Sequence, residues 1–236
     1  MTVSLCAGMC LPVPKARMAC IPKVTVMSHS LPRCGASPVS GGALLLGLAA
    51  GAASAAPLTV SVTDSDGKPL AQAVVYVMVR GMKTQAEPGA GAQIGQRDRQ
   101  FTPQVSVVQT GTAVTFPNFD TVRHHVYSFS PIQKFELKLY AGTPTAPVLF
   151  DKPGTAVLGC NIHDRMSAWV HVVDTPLFAK TDATGKATFE VPPGDHRLRA
   201  WHYLQPEPGL PVEQALHVGA GATQATVKLT VQAPAG

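Results

Sequence analysis

The chain has 236 residues, of which 45% are hydrophobic and 14% charged, with 21 glycines and 21 prolines. This composition favours short strands joined by turns, and it excludes a collagen, a coiled coil and a disordered tail protein. No apolar run in the body of the chain reaches the roughly 18 residues of a membrane-spanning helix, which excludes an integral membrane protein. Residues 1–56 hold four of the 19 basic residues and no acidic one, so 15 basic residues face 14 acidic ones in the remainder. The net charge of +5 therefore gives no support to nucleic-acid binding.

Residues 1–56 are predicted to be a signal peptide. An apolar run over 42–56 ends in small residues, Arg33 lies upstream, and Ala53-Ser54-Ala55 and Ser54-Ala55-Ala56 both fit a cleavage site. Met27 offers an alternative start that leaves a signal of ordinary length. We therefore expect export to the periplasm. Of the five cysteines, only Cys160 would remain in the exported protein, and a lone thiol in an oxidising compartment calls for burial, reactivity or a metal.

The mature chain is predicted to be all-β, because strand-like runs alternate with turn signals at a spacing typical of a β-sandwich. Residues 81–99 are predicted to be a loop. The stretches Thr63–Lys68 and Thr181–Lys186 share a T-D-x-x-G-K pattern that predicts two Asx-type turns with glycine at positive φ. The predicted strands are Leu58–Val62, Ala73–Val79, Val105–Val108, Ala113–Phe116, His125–Phe129, Phe135–Tyr140, Thr155–Leu158, Ala168–Val173, Lys186–Val191, Leu198–Trp201 and Thr223–Val231.

A candidate metal motif lies between two of these strands. Cys160, His163 and Met166 form C-x-x-H-x-x-M, and thiolate, imidazole and thioether together suit copper in a His₂Cys site with a weak axial methionine. Zinc fits less well, because a methionine would contribute little to a zinc site. The motif needs one more histidine from a distant part of the chain.

Two adjacent histidines could supply that ligand. Strand alternation places His125 on the same face as Tyr127 and Phe129, and side-chain bulk predicts that this face lies in the core. By that argument His125 is favoured over His124. The remaining histidines of the mature chain show no ligand spacing and are expected on strand surfaces or in hydrogen bonds; they are His171, His196, His202 and His217.

Residues 92–174 resemble a cupredoxin, the small blue-copper fold. Gln100–Pro103, Gly111–Phe116 and Pro117–Asp120 resemble the opening strands of plastocyanin-like domains. The short spacing of C-x-x-H-x-x-M is similar to that of amicyanin, and residues 124–131 resemble exported methylamine utilisation proteins. The resemblance implies a cupredoxin Greek-key β-sandwich with one type 1 copper. Its implied ligands are His124, Cys160, His163 and Met166.

The resemblance also implies a function. A protein of this family would carry single electrons between a redox dehydrogenase and a c-type cytochrome, and would not be an enzyme. Asp164 and Arg165 follow the ligand His163, whereas amicyanin-like proteins have an apolar docking patch there. The alternative is a copper-binding protein for storage, delivery or sensing.

The flanks resemble a different domain. Val62–Val75 and Lys180–Trp201 look like the two halves of a transthyretin-like, carboxypeptidase regulatory-like domain. This predicts flanking strands over 57–91, the copper domain over 92–174 and C-terminal sandwich strands over 175–236. In one arrangement the two flanks pair and the copper domain is inserted between them. In the simpler arrangement, one copper domain carries extra strands at both ends.

Overall fold

The computed structural model describes residues 55–144, 146–163, 165–206 and 210–232. The predicted signal peptide lies outside these residues, apart from its last two. No helix in the described ranges has the length and hydropathy needed to cross a bilayer. The strands are β1 Ala56–Thr63, β2 Val74–Met78, β3 Gly91–Gln93, β4 Gly95–Arg97, β5 Gln100–Thr102, β6 Val105–Gln109, β7 Thr112–Thr115, β8 His124–Ser128, β9 Phe135–Tyr140, β10 Val148–Phe150, β11 Gly154–Gly159, β12 Ser167–Val173, β13 Phe178–Lys180, β14 Lys186–Val191, β15 Gly194–Trp201, β16 Val212–Val218 and β17 Thr223–Lys228.

The first and last strands share one sandwich. One sheet has the order β14-β1-β17 and the other β13-β2-β15-β16. Leu58 lies opposite Phe189 of β14 and beside Thr223 of β17. Alternate side chains of β1 point into a core that draws on both ends of the chain; it includes Leu58, Val60, Val75, Val77, Phe189, Val191, Leu198 and Leu216. That this sandwich is transthyretin-like, and that the domain boundaries lie at 91/92 and 174/175, stay predictions.

The middle of the chain forms a second sandwich. A five-stranded sheet of order β6-β12-β11-β8-β9 packs against a three-stranded sheet of order β10-β7-β3. The apolar faces of both sheets meet in one core, which is why the strands alternate buried and less buried positions. The core includes Val114, Phe116, Val126, Phe150, Leu158, Cys160, Met166 and Val170. The chain is therefore all-β in the described residues, as predicted.

An aromatic contact joins the two sandwiches. His171 of β12 stacks on Trp201 of β15, with ring centroids 4.6 Å apart and planes within 15°. Thr155 Oγ1 lies 2.9 Å from His171 Nδ1, while His171 Nε2 has no hydrogen-bond partner. His171 is hydrogen-bonded, as expected, but it is 1% exposed and so is not on a surface. Desolvation lowers the pKa of this imidazole to about 3.

The structure departs from the sequence-based expectation mainly in its short strands. The segment 81–99 was predicted to be a loop, and this is wrong, because it contains β3 and β4. Each has three residues, and their Gly, Gln and Arg content has low β-propensity. Partner strands supply the pairing that the local sequence does not signal. The strands predicted from local pattern also omit β5, β10, β13 and β16, although the family resemblance places a strand at Gln100–Pro103.

Both predicted Asx turns are confirmed. Asp64 Oδ1 accepts the N–H of Asp66 at 2.9 Å, and Asp182 Oδ1 accepts the N–H of Thr184 at 2.8 Å. The glycines that follow, Gly67 and Gly185, have φ of 83° and 72°. Their surroundings differ. A Cβ on Gly67 would meet nothing within 4 Å, whereas one on Gly185 would lie 2.6 Å from the carbonyl oxygen of Val62.

This difference predicts unequal effects of the same substitution. Gly67→Ala should lower the free energy of unfolding by about 1 kcal/mol, the cost of a left-handed conformation for a residue with a Cβ. Gly185→Ala should cost about 1–3 kcal/mol more, because backbone must also move to relieve the contact. Urea unfolding of the two variants measures both values. Equal losses would contradict the packing argument.

The buried imidazole predicts an acid-sensitive stability. An unfolded chain takes up a proton at this histidine near pH 6.5, whereas folded His171 stays neutral down to about pH 3. The contribution of His171 to the free energy of unfolding is therefore complete above pH 6.5. It is lost as the pH falls towards 3, by at most about 1.4 kcal/mol per pH unit. His171→Phe keeps a ring against Trp201 and should flatten this slope in unfolding measurements between about pH 7 and 4. His217→Gln, at an exposed site, is the control and should retain the slope.

Candidate metal centre

The motif residues flank a tight loop between adjacent antiparallel strands. Cys160 directly follows β11 and Met166 directly precedes β12, and the last cross-strand pair is Gly159 with Ser167. Within the loop the N–H of Met166 donates to the carbonyl of His163 at 2.9 Å. The side chains of Cys160 and Met166 are 4% and 2% exposed, while His163 is half-buried. The loop thus directs two sulfur atoms inward and holds one imidazole near the surface.

The distant histidine is His124, the first residue of β8. It lies in the same sheet as β11, because Tyr127 of β8 pairs with Gly159. Its side chain is fully buried. Cys160 Sγ lies 3.8 Å from His124 Nδ1 and 4.0 Å from His163 Nδ1. The structure therefore brings together Cys160, His163 and His124 as a group whose three donor atoms lie within 4.8 Å of one another.

The spacing of these atoms fits one metal ion. With metal–sulfur and metal–nitrogen bonds of about 2.3 and 2.0 Å, sulfur and nitrogen ligands of one ion stand roughly 3.5–3.8 Å apart. The two Sγ–Nδ1 separations need to shorten by no more than a few tenths of an ångström. Met166 belongs to the same buried apolar core as Cys160, and both residues line one surface groove. Its proposed role as an axial ligand stays a prediction.

The neighbouring His125 points to the other face of the strand. Its Nε2 lies 3.0 Å from Glu136 Oε1, out of line for a hydrogen bond, and its ring packs edge-on against Tyr127. The expectation from bulk that this face is the core is wrong, because Tyr127 is half-buried and Phe129 is 77% exposed. The alternation itself holds, and it places His124, rather than His125, beside the cysteine.

Sequence reasoning missed one residue of the centre. Asp120 Oδ2 lies 2.7 Å from His124 Nε2, on the side of the ring opposite the cysteine. A carboxylate at this position can only accept, so Nε2 carries the proton and Nδ1 presents its lone pair towards Sγ. The Asp-x-x-x-His spacing was the available signal. In a non-helical loop, however, it does not by itself bring the two side chains together.

Several donors stabilise the Asp120 carboxylate in its charged form. Burial alone would raise its pKa, but the backbone N–H of Arg99, the His124 ring and the backbone N–H of Asp98 outweigh burial and lower the pKa below its ordinary value. The loop that carries it is held by Asn118, whose Oδ1 accepts the N–H of Asp120 at 2.9 Å. Charge and position of the carboxylate are thus both fixed by neighbouring groups.

An open groove reaches the sulfur side of the centre. It has a volume of about 490 Å³ and is lined by Cys160 and Met166 together with residues on the outer side of the five-stranded sheet, which include Tyr127 of β8, Phe129 directly after β8 and Val157 of β11. The Tyr127 ring lies over Gly159, where a Cβ would come within 2.6 Å of it. The centre is therefore enclosed by the core on one side and only thinly covered on the other.

Solved cupredoxin structures match part of this structure. A purple cupredoxin from Nitrosopumilus maritimus matches with 22% identity and a TM-score of 0.31, covering 35% of this chain and 98% of that chain. Amicyanin from Paracoccus versutus matches with 15% identity and a TM-score of 0.31, covering 42% and 96%. The structure resembles cupredoxins in part.

One copper enzyme also matches in part. The Cu-containing nitrite reductase from Thermus scotoductus SA-01 has 22% identity and a TM-score of 0.34, covering 48% of this chain and 28% of that one. No protein-family model and no curated protein matches the chain. At these TM-scores the similarities do not decide function. The candidate metal centre is therefore identified from the distances among the donor atoms of His124, Cys160 and His163.

The placement of the two adjacent histidines predicts opposite outcomes for alanine substitution at the two positions. His124→Ala removes a donor 3.8 Å from Cys160 Sγ and should weaken Cu(II) binding by at least about tenfold and abolish any visible thiolate-to-metal band. His125→Ala, one residue away, should keep the band, because its side chain faces Glu136. Absorbance titrations of both variants decide between them. The reverse pattern would overturn the assignment of His124.

Proposed function

We propose that this chain is a periplasmic type 1 copper protein that carries single electrons. The observation that carries the proposal is the buried cluster in which both imidazole Nδ1 atoms approach Cys160 Sγ, at 3.8 and 4.0 Å. A cysteine thiolate with two imidazoles is the equatorial donor set of a type 1 site, and a nearby methionine supplies the weak axial contact. His124, Cys160 and His163 would hold the ion, and Met166 would complete the site.

Copper bound there would supply a one-electron couple. This chain contributes donors held by the five-stranded sheet: His124 begins β8, Cys160 and Met166 adjoin the last β11–β12 pair, and His163 lies in the short loop between them. His124, Cys160 and His163 would hold copper in either oxidation state, so the chain would need little rearrangement during electron transfer. His163 is half-buried, so we assign its ring edge as the point of electron entry or exit.

The proposed partners are redox proteins. We propose a redox dehydrogenase as donor and a c-type cytochrome as acceptor, so that the protein acts as a carrier rather than an enzyme. The predicted signal peptide supports the periplasmic location. A thin cover over the sulfur side and a half-buried imidazole both leave the centre within short reach of a docked protein.

The test begins with Cu(II) addition to the purified protein. We expect one equivalent to produce an intense visible thiolate-to-copper band and Cys160→Ser to lose it, because a hydroxyl does not replace the soft, charged sulfur ligand. Met166→Leu should keep the band and change the reduction potential, while Met82→Leu, outside the centre, serves as the control and should leave both unchanged. A Cys160→Ser protein that remains coloured would show the site to be misassigned.

Voltammetry then separates a carrier from a copper store. A carrier gives a reversible one-electron wave and passes electrons to a c-type cytochrome. Copper that binds tightly as Cu(I) without a reversible wave would instead support storage, delivery or sensing.

A further inference from the structure

The hairpin formed by β4 and β5 has an unusual turn. Asp98 and Arg99 connect the two strands, and their φ angles are 54° and 60°. A two-residue hairpin turn with both residues at positive φ matches type I′, which strongly favours Asn-Gly. A residue with a Cβ costs roughly 1–2 kcal/mol in this conformation. Asp98 is acceptable at the first turn position, but the chain holds Arg99 at the second, where glycine is strongly preferred.

Both backbone N–H groups of this turn point at one carboxylate. The N–H of Asp98 donates to Asp120 Oδ1 at 2.7 Å, and the N–H of Arg99 donates to Asp120 Oδ2 at 3.0 Å. The same Oδ2 atom lies 2.7 Å from His124 Nε2. A continuous chain of hydrogen bonds thus runs from the exposed hairpin turn to the buried imidazole beside Cys160.

The hairpin is also fixed to the segment that carries Asp120. The N–H of Gln96 donates to the carbonyl of Pro117, and the N–H of Phe119 donates to the carbonyl of Gln96, each at 2.9 Å. Arg97 lies over the Phe119 ring at 5.1 Å. A Cβ at Gly95 would come within 2.9 Å of that ring, so glycine permits this close packing. The turn and the carboxylate therefore keep a constant relative position.

We propose that the Asp98–Arg99 turn is a positioning element of the metal centre. Its two N–H groups hold the Asp120 carboxylate, and the carboxylate in turn keeps the His124 proton on Nε2, so that Nδ1 faces the metal. Residues in unfavourable conformations persist where the surrounding structure requires them, often at functional sites. The part of this inference that concerns copper rests on the proposed function; the part that concerns the His124 tautomer does not.

The first experiment removes the Arg99 side chain in two variants, one that breaks the turn and one that keeps it. Arg99→Pro deletes one N–H and fixes φ near −65°, which breaks the turn. The matched double variant Asp98→Asn/Arg99→Gly provides the sequence that type I′ prefers and keeps both N–H groups. A single glycine inserted between Asp98 and Arg99 is a further disrupting variant, and it tests the turn should the proline variant fail to fold.

The readout that needs no metal is the His124 tautomer in the metal-free protein, from ring ¹⁵N chemical shifts. We expect only the Nε2–H form in the natural protein and the Asn-Gly variant, and a mixture of both forms in the disrupted variants. Cu(II) affinity should fall about 10–100-fold in the disrupted variants, the usual effect of losing a partner of a ligating histidine. The Asn-Gly variant should retain the affinity of the natural protein.

Two results would overturn the proposal. One is a folded disrupted variant with only the Nε2–H tautomer and the same Cu(II) affinity as the Asn-Gly variant. The other is loss of the tautomer preference in the Asn-Gly variant as well, which would assign the effect to the side chains of Asp98 and Arg99 rather than to the turn. A natural protein that forms no thiolate-to-copper band would refute the proposed function, while the tautomer measurement would still decide the role of the turn.

Discussion

The candidate metal centre depends on the antiparallel register of β11 and β12. Gly159 and Ser167 form the last pair, so Cys160 and Met166 stand where the next pair would be. A shift of one residue would turn every side chain of a strand to the opposite face. It would move Cys160 out of the core that Leu158 and Ala156 define. Apolar burial along these two strands therefore fixes the position of the sulfur atoms before any metal contributes.

Two fully buried histidines of the same sheet, His124 and His171, have different surroundings. Both ring nitrogens of His124 face a polar partner, Cys160 Sγ on one side and Asp120 on the other. His171 has a partner at Nδ1 and none at Nε2. A buried polar atom without a partner carries a desolvation cost, whereas a ring with both nitrogens engaged has one preferred orientation. The first ring is thus held in one orientation beside the thiol, and the second packs face to face on Trp201.

The sequence was informative where burial is periodic or where donor types are unusual. The long strands, the two Asx turns and the grouping of Cys160 with His163 follow from local pattern. The side-chain pattern of the sequence does not disclose His124; only the family resemblance implied it. Bulk at Phe129 misled the argument about faces, because that ring lies exposed on the outer side of the sheet. Nor does the pattern disclose Asp120, whose place depends on backbone N–H groups of a distant hairpin that side-chain patterns do not describe.

The sandwich that joins the first and last described strands has a consequence for folding order. Leu58 and Thr223 are neighbours across β1 and β17, so this sheet closes only when almost the whole described chain is present. The strands of the central sandwich come from an uninterrupted stretch of the sequence and have shorter loops to close. Because long loops delay pairing, we infer that the half with the donor cluster assembles early. The terminal strands would then join around it during the last stage of maturation.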